Sequence, residues 1–395
     1  NFLMKKIKDL GDLNQKIVLL RVDLNVPLQN NKVLDATRIK KVIPTISHLL
    51  NENAKIIIIT HVGRPKGKKI IELSLKPICE YLKDELNVKI KLITENLNNL
   101  NKKNIFSNDD EKVLLLENIR FYPEEENNDI EFAKKLASLG DIYVNEAFSC
   151  SHRAHASVSK ITKFIPSYGG LHLSNEIDAL YQITHNIEKP VSCIIGGSKI
   201  STKIKVITNL AKKYDNIIVV GAMANNFVKY NNHNIGKSVF EKNSELIVKE
   251  IYDSAKLNDC KIIYPTDFLV GKNLTDFSNN RKINEIKNDD IILDIGLETI
   301  KSIKNIINNS KTILWNGPAG YFENENFATG SYEIAKEISA KTKNSKLFSV
   351  IGGGDTVAVL NKLNLINNFS FVSTAGGAFL EYLEGKELPG IKSLN

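Results

Sequence analysis

Short, nearly continuous apolar runs alternate along this chain with longer stretches in which apolar residues return every three or four positions. In the first half the runs lie at 16–22, 55–60, 88–93, 112–117 and 141–145, and the helical pattern at 36–53, 73–86 and 130–139. A strand that is apolar at consecutive positions is covered on both faces, which predicts a parallel sheet between layers of helices. Residues 156–172 break the rhythm with Ile165-Pro-Ser-Tyr-Gly-Gly170, after which a linking helix is expected near Ser174. The second half resumes, with strands predicted at 191–195, 216–220, 261–265, 312–315, 347–351 and 369–373. Helices are predicted there at 200–212, 243–257, 329–342 and 355–363. The expected fold class is α/β, with two doubly wound parallel-sheet (Rossmann-like) domains joined by a helix.

Composition changes this picture little. A chain of 395 residues exceeds one ordinary core, in keeping with two domains. With 42% hydrophobic and 25% charged residues it reads as globular. The longest apolar run, Ile56-Ile-Ile-Ile59, is strand-sized, so no membrane span is expected. The N-terminus carries no apolar signal region, and Met4 reads as an initiator that would set residues 1–3 apart. Cys79, Cys150, Cys193 and Cys260 form no CxxC pair, so buried thiols and a cytoplasmic setting are expected.

A net charge of +8 invites a nucleic-acid reading, but the lysines are scattered among Asn and Glu with no basic tail. The arginines are more selective. Only six occur among 53 basic residues, and Arg21, Arg38, Arg64, Arg120 and Arg153 fall in the first 153 positions. Arginine offers a planar fork for phosphate and carboxylate that lysine lacks. Structural ion pairs are expected for Arg21 and Arg281.

In doubly wound sheets ligands sit beyond the carboxyl ends of the strands, and the informative residues here follow predicted strands. Arg21-Val-Asp23-Leu-Asn25 follows the first, Thr60-His61-Val-Gly-Arg64 the second, Asn118-Ile-Arg120 a third, and Ala147 to His155 another. Arg38 lies near the first turn of the helix after strand one. Together they predict a rim built for a polyanion, with room for hydroxyl contacts. In the second half, Gly196-Gly197-Ser198-Lys199 to Lys203 opens a predicted helix, which would put Lys199 and Lys203 on one face at i and i+4. Gly221-Ala222-Met223, Trp315-Asn316-Gly317-Pro318 and Gly352-Gly353-Gly354-Asp355-Thr356 follow later strands. The last is a glycine turn at a helix N-terminus, which suits a phosphate, with Asp355 as an oxygen for phosphate-bound Mg²⁺ and Thr356 as a helix cap. An ordinary αL turn with Asp355 as N-cap is the alternative. A P-loop is absent, since Asn231 stands where its first glycine would be, and no GxGxxG occurs.

RVDLNVP, HVGRP, ENIRF, HRAHAS, GGSKISTK, WNGPAGYFE and GGGDT, in this order, resemble the phosphoglycerate kinase family from about residue 5 to the C-terminus. The resemblance implies domains at 1–168 and 169–378 facing a central cleft, with 379–395 returning to the first. It implies that 3-phosphoglycerate or 1,3-bisphosphoglycerate is held by Asp23, Asn25, Arg38, His61, Arg64, Arg120 and Arg153. ADP or ATP with Mg²⁺ would be held by the second domain. Gly196, Gly197 and Gly221 would line the adenine pocket beside Pro318, and Glu323 would take the ribose hydroxyls. Lys199, Lys203, Asn316, Gly353, Gly354 and Thr356 would address phosphates, and Asp355 the metal. Ala222 stands where the family commonly has glycine, which bears on base preference.

The implied reaction is reversible, direct in-line transfer of the acyl phosphate of 1,3-bisphosphoglycerate to ADP. Either nucleophile is already an oxyanion, so no general base is needed; His61 and His155 are expected to hydrogen-bond instead. The expected catalytic groups are Arg38, Lys199 and the amides of Gly353 and Gly354. Hinge closure is expected at 165–173 and 373–377, in a monomer with no nucleic-acid or membrane partner. Another kinase of a small phosphorylated acid on the same frame, or an idle nucleotide-binding scaffold, are the rival readings.

Overall fold

In a computed structural model the described residues are 4–344 and 346–395, so residues 1–3 lie outside them. The chain divides into two compact units, residues 1–177 with 387–395, and residues 178–386. It passes from one to the other within the helix Leu171–Thr184.

The first unit is built on a six-stranded sheet, parallel throughout. Its order is Ile90–Ile93, Val113–Leu116, Lys55–Ile59, Ile17–Arg21, Ile142–Asn145, Ser167–Gly169. Every residue of Ile17–Arg21 is buried, as a central strand covered on both faces requires. Helix Thr37–Asn51 turns Ile39, Val42, Ile46 and Leu49 inward, and Lys76–Leu86 does so with Ile78, Cys79 and Leu82. Lys76–Leu86 stops at Asn87, which takes the left-handed conformation with φ 51°. Ile130–Ala137 starts where the Asp129 carboxylate accepts the Phe132 N–H.

The stretch read as an interruption holds an edge strand. Ser167–Gly169 pairs with Tyr143–Asn145, three residues too short and too mixed to show a pattern. The helix after it begins earlier than the expected Ser174. Its first turn is capped from another strand end, because buried Glu146 accepts the Leu173 N–H at 2.6 Å. A side chain at Gly170 would fall on that carboxylate.

The second unit repeats the plan with the order Lys261–Ile263, Asn216–Val219, Val191–Ile195, Thr312–Asn316, Phe348–Gly352, Phe371–Ser373. A three-stranded antiparallel sheet, ordered Asn279–Lys282, Asp267–Gly271, Ile291–Ile295, is an addition that the strand pattern did not predict. Its edge strand is polar and mostly exposed, without the alternation that marks a strand. Helices Gly221–Tyr230, Leu297–Asn308, Gly377–Leu383 and Pro389–Lys392 also lie outside the predicted set. Leu297–Asn308 is capped as Leu171–Thr184 is: buried Asp267 accepts the N–H groups of Glu298 and Thr299, both at 2.9 Å. Asp294 does the same for Thr329–Lys343 through the Gly330 N–H at 2.9 Å. Such remote caps satisfy a helix end without leaving a local signature. The last residues pack in the first unit, where Gly390 N–H bonds the Ser151 carbonyl at 2.8 Å.

Candidate active-site pockets

The carboxyl ends of the first unit's strands are stitched together by buried polar groups. Thr60 Oγ1 accepts the Leu24 N–H at 3.1 Å and donates to the Val22 carbonyl at 3.0 Å. Asn25 Oδ1 accepts the Gly63 N–H at 3.0 Å, and Asn118 Nδ2 donates to the Val62 carbonyl at 2.8 Å. These bonds fix the loops that carry Asp23, His61, Arg64 and Arg120.

Asp23 is the polar centre of this rim. It accepts from Arg38 Nη1 at 3.1 Å, from the Asn25 N–H at 2.9 Å and from the Ser149 hydroxyl. Arg38 also reaches the Asn25 carbonyl at 3.1 Å, and its side chain keeps 40% of its surface exposed. The arginine end of the pair is open to solvent, whereas the Asp23 side chain is 11% exposed. Arg120 is largely buried, with Nη1 3.5 Å from the Gly63 carbonyl and Nε 3.8 Å from Glu126. Burial, and then the neighbouring Arg21, hold its pKa below the ordinary value. Arg64 and Arg153 are exposed.

His61 is buried, with Nδ1 3.1 Å from Arg21 Nη2. Desolvation lowers its pKa well below the ordinary value, and Arg21, Arg120, His155 and Arg38 lower it further. His155 is pushed down to about 4 by burial and by Arg120, Arg21 and Arg153. Both rings are therefore neutral at pH 7. Arg281 makes its expected ion pair, 3.4 Å from Asp290. For Arg21 the expectation is corrected. It meets no carboxylate directly among the described residues but bonds Ser157 Oγ, the Val22 carbonyl and His61, so it belongs to the rim. Ser149, Ser157 and Glu125 also escaped the sequence reading, being small or acidic residues with no pattern of their own.

Asp23, His61 and Cys150 each bring one possible metal-ligating atom within 4.8 Å of the others. The surrounding arginines repel a cation there, and Asp23 and His61 are already engaged. All four cysteines are buried and unpaired.

In the second unit the site is made largely of backbone. Gly196, Gly317 and Gly353 lie where three adjacent strands end. A Cβ on Gly196 would stand 2.5 Å from the Pro318 carbonyl, and one on Gly317 2.5 Å from the Gly196 carbonyl. Gly317 and Gly353 have φ of 102° and 101°, which favour glycine. Lys203 Nζ donates to Asn316 Oδ1 at 2.5 Å, and Asn316 Nδ2 to the Gly352 carbonyl at 2.9 Å. Burial lowers the Lys203 pKa.

Two expectations fail in detail here. Lys199 and Lys203 do not share a helix face: Lys199 is extended before the short turn Ile200–Thr202, and Lys203 precedes the helix Ile204–Ala211. The glycine loop spends those residues on turning. Nor does Thr356 cap Gly354–Lys362. Gly353 takes the N-cap position, and Thr356 Oγ1 accepts the Gly317 N–H at 2.7 Å from the neighbouring strand end. Asp355 and Gly354 are exposed in the first turn, beside N–H groups that a helix leaves unpaired.

A cavity of about 340 Å³ opens beside these loops. Gly197, Gly221, Ala222, Pro318, Glu323 and Asp355 line it. Its far wall is apolar and comes from the antiparallel sheet and its loops, with Phe268, Leu274, Ile291 and Leu293. Gly196, Lys199, Lys203, Asn316, Gly353, Gly354 and Thr356 support or adjoin this cavity without lining it. The size and make-up, apolar walls with a few convergent polar groups, suit a nucleotide base and ribose.

The profile of the phosphoglycerate kinase family matches residues 7–386. A phosphoglycerate kinase of Wolbachia pipientis subsp. Culex pipiens is 49% identical over 385 residues, covering 97% of each chain. One from Methylorubrum extorquens is 43% identical, covering 99% of this chain and 98% of the relative. The solved structure of phosphoglycerate kinase from Coxiella burnetii superposes with a TM-score of 0.92 at 36% identity over 99% of both chains. The chain belongs to the phosphoglycerate kinase family.

Proposed function

We propose that this protein is a glycolytic kinase that moves the acyl phosphate of 1,3-bisphosphoglycerate to ADP, giving ATP and 3-phosphoglycerate, and that it runs in both directions. The family match over nearly the whole chain carries this reading, and the chemistry of the two pockets agrees with it.

An oxygen of the ADP β-phosphate attacks phosphorus, the bond to the acyl oxygen breaks, and the carboxylate leaves with its electron pair. Both nucleophile and leaving group are anions, so the site must neutralise and align charge rather than move protons. Neutral His61 and His155 fit that demand, since neither holds a proton that the reaction would consume. Arg38, Arg64, Arg120 and Arg153 bind the acid's phosphate and carboxylate, while Asp23 and Asn25 receive its hydroxyl. Arg38 can turn from Asp23 to the substrate through its solvent-exposed end, and Asp23 keeps the Asn25 N–H and the Ser149 hydroxyl when it does. Gly197, Gly221 and Pro318 hold the base, Glu323 the ribose, and Gly196 permits the close approach of these loops. Lys199, Lys203, Asn316, Thr356 and the Gly353–Gly354 turn position the phosphates.

Asp355 is the group that would hold Mg²⁺. Its carboxylate is exposed, at the cavity, and makes no hydrogen bond or ion pair among the described residues, a free hard oxygen such as this ion prefers. Bound there with the nucleotide, the ion would offset phosphate charge. Direct transfer requires the two ligands to be brought together away from water, hence hinge closure around 165–173 and 373–377. We place the enzyme in the cytoplasm as a monomer without nucleic-acid or membrane partners; among the described residues no helix is long and apolar enough to cross a membrane.

The test is ATP formation from ADP, Mg²⁺ and enzymatically generated 1,3-bisphosphoglycerate. Turnover that depends on all three supports the reading. Turnover with a different phosphorylated acid but not this one would overturn it.

A further inference from the structure

We infer that a buried hydrogen-bond relay, Glu125 to Ser157 to Arg21, holds His61 as a neutral imidazole with its proton on Nε2, so that the ring meets the acid substrate only as a donor. This rests on the proposed function for the identity of the substrate, but not for the tautomer.

The direction of every bond in the relay is forced. A guanidinium donates and never accepts, so His61 Nδ1, 3.1 Å from Arg21 Nη2, must present its lone pair. The ring proton then sits on Nε2. Arg21 cannot swing away, because Nη1 donates to the Val22 carbonyl and Nε donates to Ser157 Oγ at 2.8 Å. Ser157 Oγ, already accepting, turns its own hydrogen to Glu125 Oε2 at 2.5 Å. The Ser157 N–H takes the other carboxylate oxygen at 2.6 Å. Glu125 thus accepts at both oxygens, as an ionised carboxylate does, and supplies the charge that balances Arg21. Arg21, Glu125 and Ser157 are all 0% exposed, so water cannot substitute for any member.

Protonating Nδ1 would set one N–H against another and add a cation to a cationic cluster. The charged and titratable groups facing His61 are Arg21, Arg38, Arg120 and His155, with Asp23 and Cys150 within 4.8 Å. Asp23 alone favours a cation, and it is occupied by Arg38, Ser149 and the Asn25 N–H. The consequence is specific. An Nε2–H serves any acceptor oxygen of a phosphate or carboxylate, adds no charge, and leaves substrate affinity level through the pH range in which an ordinary histidine, with a pKa of about 6.5, titrates. Glu125, Ser157 and Arg21 are positioning residues; they act through His61.

The experiment is ring ¹⁵N NMR of His61 in the full chain, between about pH 5.5 and 7.5, bracketing the ordinary histidine value. We expect a protonated Nε2, an unprotonated Nδ1 and no titration. A proton on Nδ1, or a titration near 6.5, overturns the proposal. Ser157→Ala cuts the relay while removing only one oxygen atom. With Arg21 no longer anchored at Nε, both tautomers should appear in the His61 ¹⁵N signals, and kcat/KM for 3-phosphoglycerate should fall about tenfold at neutral pH. The nucleotide KM should not move, and Ser157→Thr, which keeps the hydroxyl, should restore the single tautomer and the wild-type kcat/KM. A Ser157→Ala chain, folded by circular dichroism, with unchanged tautomer and unchanged kcat/KM would also overturn the relay. If the wild-type tautomer is as stated but 3-phosphoglycerate leaves the His61 resonances unmoved, the substrate assignment fails and the relay stands.

Discussion

The two pockets of this chain are made of different materials. The first unit's rim is a set of side chains held by other side chains: Asp23 carries Arg38 and Ser149, and Arg21 carries His61. The second unit's pocket is mostly backbone, brought so close at Gly196 and Gly317 that a methyl group does not fit. A side-chain site can lose one member and keep its shape. A backbone site has no spare atoms to lose. The first should therefore fail in function before it fails in folding, and the second the other way round.

The largest effect that would break this contrast is at Arg38. Arg38→Ala removes a half-exposed side chain, so folding should hardly change, while kcat should fall on the order of 10³-fold or more, as inserted arginines do in phosphoryl transfer. Steady-state kinetics with an unchanged nucleotide KM would support it; near-normal kcat would remove Arg38 from the catalytic set. Next come two glycines. Gly317→Ala meets a Cβ contact of 2.5 Å at φ 102°, and we expect a loss of roughly 2–5 kcal/mol from overpacking and backbone strain together. Gly354→Ala meets nothing within 4 Å at the first position of its helix and should fold as well as the parent chain. If Gly354→Ala nonetheless loses activity, a phosphate approaches that amide closely. Urea unfolding beside nucleotide KM separates the two cases.

This difference in material also explains what the sequence reveals. Arg38, His61 and Arg120 stand out as rare residue types after apolar runs, and the glycine runs mark strand ends, so both rims are legible. The parallel sheets are legible for the same reason. What escapes is what depends on partners far along the chain. Glu146, Asp267 and Asp294 cap helices from other strands, and Asn279–Lys282 is a strand only because Asp267–Gly271 lies beside it. The far wall of the second unit's cavity, with Phe268 and Leu293, belongs to that unpredicted sheet. Arg21 reads as a structural ion pair until Ser157 and His61 are placed around it.

A smaller effect is carried by pH. His155 and His172 are pushed down to about 4 chiefly by burial, and His61 well below its ordinary value. Each stays neutral when folded and takes up a proton near pH 6.5 when unfolded, so the unfolded chain binds more protons below 6.5 and stability falls with acid. Asp294 runs the opposite way. Burial raises it to about 8, so the folded chain holds its proton longer and stability falls as pH rises toward 8. Raised Glu125 and Glu146 subtract from the acid slope in the same sense. A stability maximum near pH 6.5 is expected in urea midpoints. His172→Asn should take about 1.4 kcal/mol per pH unit off the acid limb.

The smallest effect is the sharpest test of a forgiving rim. Ser149 donates to Asp23, which would still hold Arg38 and the Asn25 N–H without it. Ser149→Ala deletes one bond to a charged acceptor whose side chain is 11% exposed, and Asp23 keeps its other two partners. Unfolding free energy should therefore fall by no more than about 1.5 kcal/mol. Asp23 would be freer to follow Arg38, so the KM for 3-phosphoglycerate should rise a few-fold at constant nucleotide KM. A loss as large as that of Gly317→Ala would mean that the first pocket is as rigidly interlocked as the second, and the distinction between them would go.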